Sequence, residues 1–340
     1  MANPISYANK INELTNELPD FVMDFIYNFS TNNSNYNTKL EYCRDIKCFL
    51  EYLSNYTSKF ADKPIKDFTL EDIDQVEVLD INRYLTILGG PGNELRKQST
   101  VKRKRASLSS MYSFFLNSGK IHNNPVLVTS PGKKNKKELI YLTNEEQKTL
   151  LNGVRNGNML SGKACSEHEL YEKRDSALFL LLLDTGLRVS EMLNTDISDY
   201  DLDNCSVLVT RKGGDHQNVY YSDECAEYLA EYFGAQRVKY GLKDKDIPAF
   251  TTTTGKRLGS RAVEMLVKKY MEAYIPARAK EISPHKLRSS FAMSFYEASG
   301  NNILLLKEKL NHSSIQTTNI YAEASKKDLK DSRNILEGLR

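Results

Sequence analysis

Apolar residues recur every three or four positions through the first part of the chain, the spacing that places them on one face of a helix. This spacing predicts four helices, over residues 21–29, 38–53, 80–88 and 99–117. An Asn/Ser cluster at 30–37 and the run Gly89-Gly90-Pro91-Gly92 break the pattern between them. We therefore expect residues 20–127 to form an all-α bundle, preceded by a loosely ordered segment at 1–19.

After residue 140 the pattern becomes mixed. A cap at Thr143 or Asn144 opens a helix, and a second helix, at about 170–183, is apolar on nearly all sides, which predicts a central position. The apolar run 303–306, continued by Leu310, predicts a further buried helix.

Two short β-rich runs, at 206–210 and 218–221, flank Lys212-Gly213-Gly214-Asp215 and predict a hairpin. The fold class we expect is therefore mainly α with a small antiparallel β-sheet. The second domain should span 140–340, and the charged Pro/Gly/Ser-containing stretch at 128–139 has the composition of a linker.

Length and composition support this organisation. The chain has 340 residues, enough for two domains, with 40% apolar and 27% charged residues. The longest purely apolar run, 177–183, is too short to cross a membrane, and no signal-peptide pattern opens the chain. We expect a cytoplasmic protein with no membrane partner, and five cysteines that are reduced thiols and not a disulfide set.

The net charge of +3 hides an asymmetry. Residues 95–137 hold eleven Lys and Arg and no Asp or Glu, so the rest of the chain has 36 basic and 44 acidic residues. Such a local positive field suits a polyanion, although a solvated basic face without a partner is the alternative. The candidate residues for binding such a polyanion are Lys102, Arg103, Lys104 and Arg105 on the fourth helix, with Lys133, Lys134, Lys136 and Lys137 on the linker.

Four short pieces carry candidate chemistry. In chain order they are Thr185-Gly186-Leu187-Arg188-Val189-Ser190-Glu191, the hairpin residue Lys212, His285-Lys286-Leu287-Arg288, and the segment from His312 to Tyr321. Each has an ordinary structural interpretation. Arg188 and Glu191 could form a helix surface pair, for example, and Lys212 could be a turn residue.

Taken together and in this order, the pieces resemble the tyrosine recombinase (phage integrase) family, close to its Xer and simple integrase branch. The similarity covers residue 20 to the end of the chain. It implies a four-helix, SAM-like core-binding domain followed by a mostly helical catalytic domain. It also implies a site-specific recombinase that cleaves and rejoins DNA through a 3′-phosphotyrosyl intermediate and a Holliday junction, with no metal, ATP or other cofactor.

The resemblance assigns a role to each motif residue. Tyr321 matches the nucleophile, and Arg188 and Arg288 match the pair of guanidinium groups that stabilise the charged transition state. Lys212, chosen over Arg211 by the family's hairpin pattern, matches the general acid that protonates the leaving 5′ oxygen.

The remaining motif residues have supporting roles in the family. His285 would orient the phosphate or help to deprotonate the tyrosine, His312 would bond a non-bridging oxygen, and Glu191 would brace its neighbours. Two positions depart from the family pattern. Ser289 stands where histidine is common, and Asn311 stands where glycine is usual, which is tolerable because Asn also reaches the left-handed region. We expect neither to touch a reacting group.

The resemblance also implies partners. These are double-stranded DNA with paired recombination sites and further copies of the chain in a cyclic tetramer, with the last helix, at about 326–340, docked on a neighbour. Packing of that helix in cis is the alternative, and a need for an accessory protein is left open. Rival functions are a type IB-like topoisomerase and a catalytically silent DNA-binding protein of the same fold.

Overall fold

The computed structural model describes residues 9, 11–14, 16–28, 36–89, 98–129, 138–211, 214–240, 247–311 and 314–325. The chain divides into two compact units, Met1–Asn135 and Lys136–Arg340. This division lies inside the segment 128–139. The predicted docking helix at 326–340 lies outside the described residues.

The first unit is helical. Its helices are α1 (Asp20–Asn28), α2 (Tyr36–Tyr56), α3 (Leu70–Asp74), α4 (Val78–Gly89), α5 (Gln98–Asn117) and α6 (Pro125–Val128), with 3-10 turns at Ser58–Phe60 and Ile65–Asp67. Four of them correspond to the predicted helices, and α3 and α6 are short additions. Thr69 and Asp72 form a capping box at the start of α3. The Thr69 hydroxyl accepts a hydrogen bond from the Asp72 backbone N–H, and the Asp72 carboxylate accepts one from the Thr69 backbone N–H.

The core of this unit lies between α2 and α5. The buried side chains of α5 are those at helical spacing, among them Leu108, Met111 and Phe115. They belong to the same apolar cluster as Phe49 and the rest of the inner face of α2. Phe115 meets Phe21 edge to face, with ring centroids 5.7 Å apart.

Most of the basic side chains of α5 bind partners within the first unit. Asp45 on α2 is completely buried, and it binds both Arg103 and Lys104, with 3.0 Å between Lys104 Nζ and Asp45 Oδ1. Arg105 donates to the hydroxyl and the carbonyl of Thr129. The predicted DNA contact of Lys104 therefore conflicts with its burial, because a buried carboxylate such as Asp45 needs its cation.

The second unit contains α7 (Asn144–Asn156), α8 (Lys163–Thr185), α9 (Val189–Leu193), β1 (Tyr200–Asp201), β2 (Ser206–Thr210), β3 (His216–Tyr220), α10 (Asp223–Tyr240), α11 (Ser260–Tyr274), α12 (Pro284–Ala298), α13 (Ile303–Lys309) and α14 (Asn319–Ser325). Three 3-10 turns, Ile197–Asp199, Pro276–Arg278 and Ile315–Thr317, link them. Thr143 caps α7 through a capping box with Glu146.

The three strands form one antiparallel sheet in the order β1-β2-β3. β2 and β3 pair in the predicted hairpin, with Val207 opposite Val219 and Thr210 opposite His216. β1 is an addition, and β3 begins two residues before the predicted run. The predicted fold class, mainly α with a small antiparallel sheet, is confirmed.

α8 is the central helix of the second unit, and it packs against α7, α10 and α12. Its apolar part, 177–183, is buried, as predicted. The helix begins at Lys163 and not near residue 170. Its first turns are polar, but His168 within them is buried and its Nε2 lies 2.8 Å from the Val154 carbonyl oxygen of α7, which anchors this end of the helix. Within the described ranges, no helix has the length and apolar composition that a membrane crossing requires. The five cysteines, all at described positions, form no disulfide.

The helix predicted at 303–306 is less buried than expected. α13 has only seven residues, and of its leucines only Leu306 is buried, followed by Leu310 at the helix end. Leu304 and Leu305 are 61% and 44% exposed. The reason is geometric: a helix so short covers one face against its neighbours, and four consecutive residues point in all directions.

Gly186 ends α8 in the left-handed conformation, with φ of 62°. A Cβ atom at this position would lie 2.2 Å from Cδ1 of Phe291 on α12. Only glycine therefore allows α12 to approach the end of α8 this closely. The residues that follow Gly186 include Arg188, so this contact fixes where the first chemical motif emerges.

We expect Gly186→Ala to destabilise the protein more than Gly300→Ala, a matched change at φ of 68° where a Cβ would meet nothing within 4 Å. The left-handed conformation alone costs alanine about 1–2 kcal/mol, and the overlap with Phe291 should add about 1–3 kcal/mol. Urea unfolding followed by circular dichroism measures both free energies. Equal losses in the two variants would contradict the close-approach argument.

Candidate active site

Arg188 projects from the turn between α8 and α9. Leu187 is buried, and Arg188 has extended backbone angles, φ −68° and ψ 141°, immediately before α9. Its side chain is 41% exposed. The guanidinium is therefore held at its base while one side remains open to solvent.

Glu191, one turn into α9, binds this arginine twice. Its Oε2 accepts from the Arg188 N–H at 3.0 Å, and its Oε1 accepts from Arg188 Nη1 at 2.6 Å. Burial by itself would raise the pKa of Glu191, but these bonds and the charge of Arg211 lower it below its ordinary value. Glu191 is therefore ionised at neutral pH, as a bracing residue should be.

Arg211 directly follows β2, and the sequence analysis considered it only as the alternative to Lys212. Its Nη1 donates to Glu191 Oε2 at 2.7 Å, and its Nε donates to Gln217 Oε1 at 2.9 Å on β3. Its side chain is only 4% exposed. A lone arginine in a hairpin carries no sequence signal for such a contact. Its neighbour Lys212 lies outside the described residues.

Arg288 lies in the second turn of α12 and is buried. It donates to the carbonyl oxygen of Gly186 and, at 2.6 Å from Nη2, to that of Leu310. Burial, followed by the nearby charge of Arg188, lowers its pKa to about 10. The guanidinium thus stays charged at neutral pH and ties the end of α8 to the end of α13.

His285 lies three residues before Arg288, in the first turn of the same helix. Burial lowers its pKa below the ordinary value of 6.5, and the charges of Arg288, Lys286 and Arg188 lower it further. The ring is therefore neutral at physiological pH and can accept a proton or a hydrogen bond.

Tyr321 lies on α14 and is 5% exposed. It belongs to one apolar cluster with Phe291 of α12 and Leu306 of α13, which fixes the position of its ring. Burial raises the pKa of its hydroxyl, although a hydrogen bond with Ser289 and the charge of Arg288 act in the opposite direction. At neutral pH the hydroxyl is protonated.

The bond between Ser289 and Tyr321 corrects one expectation. We expected this departure from the family pattern not to touch a reacting group, and the structure places its hydroxyl on the candidate nucleophile. The contact joins residues 32 positions apart in the chain, which no local pattern reveals. The other departure, Asn311, has φ of 48° and ends α13 in the left-handed region, as its residue type predicts.

The structure thus brings Arg188, Glu191, His285, Arg288 and Tyr321 into one electrostatic neighbourhood, joined through the turn at Gly186. Lys212 and His312 lie outside the described residues, as do the linker residues Lys133, Lys134, Lys136 and Lys137.

Two guanidinium groups near a buried tyrosine hydroxyl can stabilise the charge of a phosphodiester as it is transferred to that hydroxyl. Such a site fits the class of enzymes that transfer a DNA or RNA phosphodiester to tyrosine. The sequence model of the phage integrase family matches residues 141–328, more than half of the chain. The chain belongs to this family, and it is a tyrosine recombinase, an enzyme that cleaves and rejoins DNA at specific sites.

Individual relatives agree with this family. The chain is 31% identical over 303 residues to tyrosine recombinase XerC of Caldanaerobacter subterraneus subsp. tengcongensis, a match covering 88% of this chain and 81% of the relative. It is 28% identical over 327 residues to tyrosine recombinase XerS of Streptococcus mutans, covering 88% and 90%. The resemblance inferred from the motifs is confirmed, and the rival functions are not favoured.

Two solved structures share the fold. The XerH site-specific recombinase in its post-cleavage complex with difH DNA has a TM-score of 0.66 at 20% identity, with 89% of this chain and 80% of that chain covered. The Tn1549 transposon integrase in complex with circular intermediate DNA also has a TM-score of 0.66, at 19% identity, covering 94% and 99%.

The site predicts the order in which two histidines titrate. His285 should titrate below pH 6.5 because it is buried among cations. His122, an exposed residue whose ring contacts Asp74, should titrate above 6.5 because that carboxylate favours its charged form. Nuclear magnetic resonance of ring-labelled histidine measures both midpoints.

Two variants serve as controls for this order. Lys286→Gln removes one of the repelling charges and should raise the midpoint of His285, whereas Asp74→Asn should lower that of His122. If His285 titrated above His122 in the wild type, the described electrostatics of the site would be wrong.

Proposed function

We propose that Tyr321 is the nucleophile through which this recombinase cleaves DNA. One observation carries this assignment. Tyr321 is buried, which raises the pKa of its hydroxyl, and the charge of Arg288 opposes this rise, while the charge of Arg188 acts on Arg288.

In the proposed reaction the Tyr321 oxygen attacks phosphorus, and the bond from phosphorus to the 5′ oxygen breaks. The tyrosine proton passes to the neutral ring of His285, and Lys212 supplies a proton to the leaving 5′ oxygen. Arg188 and Arg288 stabilise the charge that develops on the non-bridging oxygens. The product is a 3′-phosphotyrosyl bond and a free 5′ hydroxyl.

The remaining assigned residues support this step. Glu191 braces Arg188, and His312 donates to a non-bridging oxygen. Attack by a 5′ hydroxyl of the partner duplex reverses the reaction, so the energy of the broken bond is retained. Two sequential strand exchanges then pass through a Holliday junction, and the reaction can serve integration and excision, inversion or chromosome dimer resolution.

Binding to duplex DNA is proposed to use both units. Lys102, Arg103 and Arg105 on α5 and the linker lysines Lys133, Lys134, Lys136 and Lys137 supply positive charge to the phosphates. The side chain of Arg103 is 40% exposed even though it is paired, so it can reach DNA. Lys104 is left out because it is buried against Asp45.

The assembly we propose is a cyclic tetramer that holds two recombination sites, in the cytoplasm, with the segment 326–340 of each copy docked on its neighbour. The structures with the same fold include recombinases bound to DNA, which supports DNA as the partner. An accessory protein is a further partner to be tested by reconstitution with purified components.

Tyr321→Phe should abolish the covalent adduct with DNA, because phenylalanine has no oxygen to attack phosphorus. The probe is nicked genomic DNA of the host, from which adducts are collected under denaturing conditions and sequenced. Tyr296→Phe is the matched control, since Tyr296 is a buried tyrosine of the same apolar cluster, and it should keep the wild-type adduct. An adduct that persists in Tyr321→Phe would show that the nucleophile is another residue.

A chain truncated after Asp328 should still bind and cleave its site but fail to recombine two sites, because the proposed contact between neighbours is lost. Recombination of two sites on a plasmid, set beside cleavage of a single nicked site, measures the difference. Normal recombination by the truncated chain would remove the docking role of the terminal segment.

A further inference from the structure

Arg211 makes contacts on three sides of the hairpin. Its backbone N–H donates to the Asp215 carbonyl at 2.7 Å and closes the turn. Its Nε donates to Gln217 on the opposite strand, and its Nη1 donates to Glu191 on α9. The side chain is buried, so these contacts take the place of water around its charged group.

The carboxylate of Glu191 is divided between two arginines. Oε1 accepts from the Arg188 guanidinium at 2.6 Å, and Oε2 accepts from Arg211 at 2.7 Å as well as from the Arg188 N–H. With each oxygen occupied, the carboxylate cannot rotate to hold the Arg188 guanidinium by both oxygens at once. Arg188 therefore keeps part of its donor edge for another anion.

Charge balance leads to the same conclusion. Arg188 and Glu191 alone would be a neutral pair with little attraction for a phosphate. The charge of Arg211, whose side chain is 4% exposed, brings the group of three to a net charge of +1, and burial of Arg211 and Glu191 reduces the screening of their charges by water. Arg211 also adds to the positive field at Arg288.

We propose that Arg211 is a positioning residue for DNA cleavage, which acts through Glu191 to hold the Arg188 guanidinium open and charged toward the scissile phosphate. This inference rests on the proposed roles of Arg188 and Tyr321. Without Arg211, the Oε2 atom of Glu191 would lose its charged partner and turn toward Arg188, drawing that guanidinium away from the phosphate.

The test compares cleavage rates of purified full-length variants on the nicked duplex recovered by covalent capture. Arg211→Met should slow the first-order formation of the adduct by about 10- to 100-fold, the range expected when a catalytic group is displaced by about an ångström. The dissociation constant for the duplex should change by less than about threefold, since Arg211 affects one phosphate and affinity for a duplex is the sum of many phosphate contacts. Arg211→Lys should recover part of the rate, because lysine can bind Glu191 but has no planar fork to reach Gln217 as well.

A matched control separates positioning from stability. Arg174 is also a buried arginine paired with a buried acid, Asp175. It lies twelve residues before Gly186 on α8, about 18 Å along the helix axis. Arg174→Met should lower the melting temperature but leave the cleavage rate of the folded protein within about twofold of the wild type. Melting curves confirm that each variant is folded at the assay temperature.

A double-mutant cycle tests the route through Glu191. In a Glu191→Gln background there is no carboxylate charge to divide, so Arg211→Met should slow cleavage by less than about threefold further. Equal slowing in both backgrounds would overturn the route through Glu191. A wild-type rate in folded Arg211→Met, or the same loss in Arg174→Met, would overturn the positioning role itself.

A different result would overturn the proposed function. If the wild type forms no adduct that depends on Tyr321, the assignment of the nucleophile is overturned, and the role of Arg211 with it. If the adduct depends on Tyr321 but forms at the wild-type rate in Arg211→Met, only the proposed role of Arg211 is overturned.

Discussion

The geometry of the site depends on two hydrogen bonds that the Arg288 side chain donates. Its guanidinium binds the carbonyl oxygens of Gly186 and Leu310, the residues that end α8 and α13. Carbonyl groups at helix ends lack partners within the helix and carry partial negative charge, so a cation between two of them is stabilised despite its burial. One side chain thereby joins the turn that carries Arg188 to the segment that leads to Tyr321.

This arrangement concentrates positive charge before any DNA is bound. Arg188, Arg211 and Arg288 surround a single carboxylate, Glu191. Burial lowers the pKa of Arg288 and that of His285, and the excess of positive charge lowers both further. Such a site is unfavourable for the isolated protein and favourable for a phosphate whose charge increases in the transition state. Stability is given up locally for a group that arrives with the substrate.

Much of the fold follows from local sequence. Helical spacing located the long helices, the residue type of Asn311 predicted its left-handed backbone, and the order of motifs identified the family. What local sequence could not provide is which partner lies across the fold. Arg211 and Glu191 are 20 residues apart, and Lys104 and Asp45 are 59 apart. Periodicity shows that a helix has faces, but which face is buried depends on how the helix packs. The expectation that Leu304 and Leu305 are buried was wrong for this reason.

The state of Tyr321 links chemistry to assembly. Its hydroxyl is protonated at neutral pH and its side chain is almost wholly buried, yet the attack that we propose requires that oxygen to contact phosphorus. The cover must therefore move, and α14 is a helix of only seven residues whose one buried side chain is Tyr321 itself. In the proposed reaction the cations are therefore in place before DNA binds, whereas the Tyr321 hydroxyl reaches phosphorus only after α14 has moved.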